Sequence, residues 1–75
     1  MTHRVVFIGT GGRGRSWVRN VTGHPRFKPV AFVDPSSVAH DAMESEFKDL
    51  KLKGFKSIAD ASDGVDADIA IIAAS

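Results

Sequence analysis

The stretch "VVFIGTGGRGRSW", Val5 to Trp17, decides how the rest of the chain is read. Val5-Val6-Phe7-Ile8 is a continuous apolar run rich in β-branched residues and closed by a glycine, the signature of a buried strand. Gly9-Thr10-Gly11-Gly12-Arg13-Gly14 then spells G-x-G-x-x-G. Taken alone the match says little, because four glycines in six residues fit many patterns. Its neighbours on either side give it meaning.

Working outward, residues 12–22 carry a helix pattern, with Trp17, Val18 and Val21 on an apolar stripe and Arg15 and Arg19 on the polar side. Trp17 is expected to be a core contact, as is Phe47 further on. Gly23 is placed to stop the helix, and Pro25 lies beyond it. Thr22–Pro29 reads as a turn, and Val30–Val33 as a second buried strand that ends at Asp34. Ser36 or Ser37 can cap a second helix, in which Ala39, Ala42, Met43, Phe47 and Leu50 recur at helical spacing. A weak third strand centres near Phe55. Ser57-Ile58-Ala59-Asp60 has a capping-box layout that opens a short third helix. Ala67–Ser75 is the most apolar run and reads as a central parallel strand.

The order β-α-β-α-β-α-β predicts an α/β fold, a Rossmann-type parallel sheet with right-handed crossovers. The first two helices would cover one face, leaving the short third helix for the other. A parallel sheet needs both faces covered. Residues 1–75 therefore read as a partial dinucleotide-binding domain, the leading part of a larger doubly wound one.

Bulk properties narrow the function. With no cysteine, a disulfide scaffold and a thiolate metal site are both excluded. No apolar run approaches the ~20 residues of a membrane span, and no signal-peptide layout precedes the first strand; a cytoplasmic location and no membrane partner are the expectation. Residues 1–33 hold six basic groups and no acid, whereas residues 34–75 hold all nine acids and four lysines. A positive first third beside a glycine turn suits an anionic ligand such as a pyrophosphate.

In that light each residue of the loop has a physical task. Gly9 permits the tight strand-to-helix turn, Gly11 lets the backbone approach a pyrophosphate, and Gly14 lets the helix lie against the strand. Free N–H groups and the positive end of the helix dipole then face the phosphates, with Arg13 near them or turned to solvent. Asp34 follows Gly14 by 20 residues, at the end of the next strand. There it would accept hydrogen bonds from the adenosine ribose and repel a 2′-phosphate, favouring NAD over NADP; its alternative role is a strand-end turn or helix cap.

Competing readings fit less well. Arginine–glycine RNA tags are repeated and disordered, whereas this is one copy between a strand and an amphipathic helix, so no nucleic-acid partner is expected. A methyltransferase usually carries an acid on the first strand near the glycines, and Val5–Ile8 has none. A flavin site usually prefers glutamate at the second strand end. A P-loop is excluded because no Gly-Lys-Ser/Thr follows the glycines. His3, His24 and His40 are scattered and expected at the surface, and no metal site is expected. Asp60, Asp63, Asp66 and Asp68 read as a capped helix and the turn before the last strand, and Lys48, Lys51, Lys53 and Lys56 as a solvated face.

These residues resemble the start of the glucose–fructose oxidoreductase / inositol dehydrogenase / rhizopine-catabolism (Gfo/Idh/MocA) family, over the whole chain. "VVFIGTGGRGRSW" resembles its first strand and glycine turn, "VAFVDPS" its second strand with the ribose-binding acid, and "FKSIADASDGVDADIAIIAAS" its approach to the Ile-Ile-Ala strand. The resemblance implies an NAD(P)-dependent oxidoreductase acting on sugars, polyols and related molecules. It also implies a C-terminal domain that shapes the substrate site and often a homo-oligomer interface. Carried over, Gly9, Gly11, Gly14 and Asp34 would bind NAD, Thr10, Gly12 and Arg13 would line the turn, and Ala73, Ala74 and Ser75 would line the nicotinamide side. The chain departs from the family at "Ala-Ala-Ser", where many members have Ala-Thr-Pro. The family's Glu-Lys-Pro lysine and its downstream aspartate and histidine do not occur in these 75 residues, so no residue here is expected to be catalytic. A non-catalytic NAD-binding sensor or assembly module is the alternative from another class, with a methyltransferase fragment as a lesser one.

Overall fold

The computed structural model describes residues 2–73. Strands β1 (His3–Ile8), β2 (Phe27–Val33), β3 (Lys53–Phe55) and β4 (Ile69–Ile72) alternate with helices α1 (Gly12–Thr22), α2 (Ser37–Glu46) and α3 (Ile58–Gly64). All pairings are parallel, in the order β3-β2-β1-β4. The chain thus has the Rossmann-type sheet that the alternation predicts.

The register sorts the side chains by face. Val5 and Phe7 pair with Ile69 and Ile71 on one side and, at Phe7, with Phe32 on the other. These residues pack with Val18 and Val21 of α1 and Met43 of α2 into the main core. Val6 and Ile8, one residue out of phase, point to the opposite face, where Ala61 of α3 is buried. Helices α1 and α2 therefore cover one face and α3 the other, as expected. Coverage of the second face is thin. Val6, Ile8, Val33, Ala70, the α3 residues Ile58 and Ala61, and Val65 just past the helix line a cleft of about 300 Å³ there.

Three boundaries differ from the sequence reading. Strand β2 begins at Phe27 rather than Val30, because Phe27 and Lys28 are drawn into the ladder opposite His3 and Arg4. The register slips between Val5, opposite Pro29, and Val6, opposite Ala31. Pro29 lacks an N–H for the ladder, and the bulge at Val30 accommodates it. Second, α2 ends at Glu46 and a 3₁₀ turn, Lys48–Leu50, carries the chain to Lys51 in the left-handed region. Third, β4, expected as a central strand from Ala67 onward, begins at Ile69 and, among the described residues, pairs with β1 alone. Ile72 is accordingly 73% exposed.

Trp17 is a correction. It is 46% exposed rather than a core contact. Gly14, Val18 and Val21 form the buried stripe of α1, at i, i+4 and i+7, and Trp17 falls beside it. Phe47 packs against the core as expected. The capping serines act as read: the Ser36 hydroxyl accepts the Ala39 N–H and the Ser57 hydroxyl accepts the Asp60 N–H. Asp68 accepts the Arg4 N–H at 2.9 Å, and Asp66 pairs with the Arg4 guanidinium, pinning the entry of β4 to β1. Among the described residues no helix is long and apolar enough to cross a membrane, and no group of three His, Cys, Asp or Glu is placed to hold a metal ion.

Candidate functional site at the strand C-terminal ends

The C-terminal ends of β1, β2 and β4 meet at one edge of the sheet, and the glycine loop turns across it. The Gly9 N–H donates to the Val33 carbonyl at 2.8 Å, and the Ala73 N–H donates to the Ile8 carbonyl at 2.8 Å. These bonds extend the ladders just past the strands and bring three separate segments side by side. Gly9, Gly11, Gly12, Arg13, Asp34, Pro35 and Ala73 line a single cleft of about 350 Å³. Residues spread over more than 60 positions of the sequence thus line one cleft. Ala74 and Ser75, the other two proposed for the nicotinamide side, lie outside the described residues.

Two glycines are demanded by the protein itself. Gly9 has φ 90°, a conformation that a side chain rarely tolerates. At Gly14 a Cβ would stand 2.0 Å from the Gly9 carbonyl oxygen, so α1 rests directly on the turn. Gly11 and Gly12 are different. A Cβ at either position would meet nothing within 4 Å. Both positions are exposed, beside the cleft, and the protein's own packing does not require glycine there. Gly11 is the N-cap of α1 and provides no side-chain acceptor for the first turn. An open, uncapped helix start with no Cβ in front of it fits an anionic group bound by backbone N–H donors.

Asp34 is held firmly. Its Oδ2 accepts the Thr10 N–H at 2.8 Å and the Thr10 hydroxyl at 3.2 Å, and its Oδ1 accepts the Ser36 N–H at 2.9 Å. Partial burial alone pushes the carboxyl pKa up. The Thr10 and Ser36 N–H groups, the Thr10 hydroxyl and nearby His40 outweigh it, and the net effect holds Asp34 below the usual carboxylate range. A carboxylate depressed in the folded state stabilises the fold above its unfolded pKa of about 3.9 and loses that contribution as pH falls through the folded value. Thermal midpoints measured from about pH 6 down to about pH 2.5 should therefore fall less for Asp34→Asn than for the unmodified protein. Parallel curves would contradict this. The comparison isolates Asp34 from Asp68, which the Arg4 N–H holds low as well.

Thr10 sits beneath the loop, fully buried, with both donors turned to Asp34 rather than toward the cleft. Arg13 is exposed at the cleft rim. Arg15 and Arg19 turn away to pair with Glu46 of α2. His40 departs from the expected surface placement. It is half-buried, packs against Phe32 in a tilted pair with ring centroids 4.8 Å apart, and its Nε2 lies 2.8 Å from the Asp34 carbonyl oxygen. No spacing rule singles out His40 or Pro35. Both reach the site because α2 starts directly after Asp34 and folds back over the end of β2.

No family model matches the chain, and no curated protein matches it. Solved structures do. The chain is similar to the WlbA dehydrogenase from Bordetella pertussis, solved in complex with NADH and UDP-GlcNAcA, with a TM-score of 0.84 and 22% identity. That likeness covers 97% of this chain and 22% of the other. It is also similar to scyllo-inositol dehydrogenase from Lactobacillus casei, solved with NAD(H) and scyllo-inositol, with a TM-score of 0.82 and 19% identity. There the cover is 100% of this chain and again 22% of the other. The chain thus shares its fold with about a fifth of each dehydrogenase.

Proposed function

We propose that this chain is the adenosine- and pyrophosphate-holding part of a Gfo/Idh/MocA-type oxidoreductase, with NAD(H) as its dinucleotide. The observation that carries the reading is the single cleft at the strand ends, where Gly11 and Gly12 leave open space beside an uncapped helix start and Asp34 stands on the adjacent strand. The fold shared with two dehydrogenases solved with NAD(H) supports it. In the whole protein the bound nicotinamide would exchange a hydride with a sugar- or polyol-like carbon. The residues of this chain bind and orient. Backbone N–H groups of the α1 start hold the pyrophosphate, Asp34 accepts from the adenosine ribose, and Ala73 borders the cleft on the β4 side. The protein as a whole is proposed to be cytoplasmic and homo-oligomeric, with the substrate domain and catalytic groups lying beyond these 75 residues.

Equilibrium titration with NADH, followed by calorimetry or nucleotide fluorescence, tests the reading. Saturable binding is expected, competed by ADP-ribose and at least tenfold tighter than NADPH, a difference of about 1.4 kcal/mol. Absence of saturation up to about 1 mM NADH, where binding free energy is only ~4 kcal/mol, would overturn it. Turnover of NAD with polyols or sugar acids by the whole protein separates the oxidoreductase from a sensor that binds the dinucleotide without using it.

A further inference from the structure

The buried threonine of the glycine loop takes no direct part in holding a dinucleotide. Thr10 is 0% exposed, so its hydroxyl cannot touch a ligand in the cleft. Both of its donors converge on one oxygen, Asp34 Oδ2, and Asp34 lines the cleft whereas Thr10 does not. A carboxylate oxygen has two lone pairs. Two Thr10 donors therefore fill Oδ2, while Oδ1 accepts the Ser36 N–H and keeps one site free. The backbone of Asp34 is gripped as well, by the Phe55 carbonyl, which accepts its N–H at 2.9 Å, and by His40 at its own carbonyl.

We infer that Thr10 is a positioning and specificity-determining residue: it spends Oδ2 inside the protein and fixes Asp34 so that Oδ1 alone meets the nucleotide. This rests on the dinucleotide reading and deepens it. One consequence is that Asp34 accepts one ribose hydroxyl strongly rather than chelating two. The second is that the carboxylate cannot rotate away from a 2′-phosphate, so its repulsion of NADPH is fully expressed. A hydroxyl at position 10 is needed for both; a methyl group of the same size is not enough.

The test compares NADH and NADPH affinities of the unmodified protein, Thr10→Val and Thr10→Ser. Thr10→Val keeps the volume and the backbone N–H but removes the hydroxyl. It should weaken NADH roughly tenfold while leaving NADPH equal or tighter, so the preference falls at least roughly tenfold. Thr10→Ser restores the hydroxyl and should restore the preference. Equal weakening of both nucleotides, or no change, would overturn the inference and reduce Thr10 to a packing residue. Should Thr10→Val not fold, carboxyl titration by NMR decides in the unmodified protein and Thr10→Ser. Asp34 must titrate below the ordinary range in both, and an ordinary value in either overturns the inference. If the unmodified protein binds neither nucleotide, the dinucleotide reading falls and takes this with it. If it binds NADH and Thr10→Val leaves the preference unchanged, only the role of Thr10 falls.

Discussion

Gly14→Ala is expected to lower the thermal midpoint by about 12–24 °C, the effect of ~3 kcal/mol in a domain of this size. The added Cβ would lie 2.0 Å from the Gly9 oxygen and 2.9 Å from the Gly9 carbonyl carbon. Both are backbone atoms of a turn already held at φ 90° and hydrogen-bonded to Val33, so neither can yield cheaply. Helix α1 must move instead, and it carries Val18 and Val21 out of the core as it goes. The gain in helix propensity from Gly to Ala, ~1 kcal/mol, opposes this and is too small to win. Gly11→Ala is the matched control. Its φ of −66° suits alanine and its Cβ has free space, so stability should hold while NADH binding weakens. Differential scanning calorimetry of the two variants without and with NADH reads both outcomes. A midpoint for Gly14→Ala within a few degrees of the unmodified protein would mean that the helix start is not fixed by this contact.

Asp34→Ala should weaken NADH binding about 100-fold and remove most of the preference over NADPH. The proposed charge-assisted bond to the ribose would be worth ~1.5–3 kcal/mol, and a 100-fold loss, about 2.7 kcal/mol, lies within that range. The Thr10 N–H and buried hydroxyl lose their acceptor in the free and the bound protein alike, so that cost falls on stability rather than on affinity. Because Asp34 also repels a 2′-phosphate, its removal offsets the loss for NADPH, which should weaken far less than NADH, and the ratio is the diagnostic quantity. Calorimetric titration of both nucleotides gives it. NADH affinity within threefold of the unmodified protein would refute the ribose role of Asp34.

Much of the fold is legible in the residue order alone. The alternation of apolar runs with amphipathic stretches, the glycine turn and the capping serines at 36 and 57 are local signals. Local signals determine local structure, so the order of elements and the expected covering of the two sheet faces follow from them. Signals that depend on partners were not legible. Phe27 and Lys28 look like part of a turn because Pro25 and Pro29 flank them, yet parallel pairing with His3 and Arg4 draws them into β2. Trp17 has core chemistry, but α1 rests on the Gly9 turn through Gly14, in line with buried Val18 and Val21, and Trp17 falls beside that stripe.

The candidate site divides in the same way. Gly9, Gly11, Gly14 and Asp34 announce themselves by spacing, since a turn, a close approach and a strand end each need a particular residue type at a particular offset. Thr10 and His40 do not, because hydrogen bonds across a sheet end leave no periodic trace in the chain. The amino-acid sequence therefore determined which segments become strands and helices and where the glycine turn falls between them. Only the tertiary structure decided that the Asp34 carboxylate is spent on one side by a buried threonine and open on the other. That assignment depends on two residues 24 apart being brought within 3 Å, and distance in space is the one thing that residue order does not record.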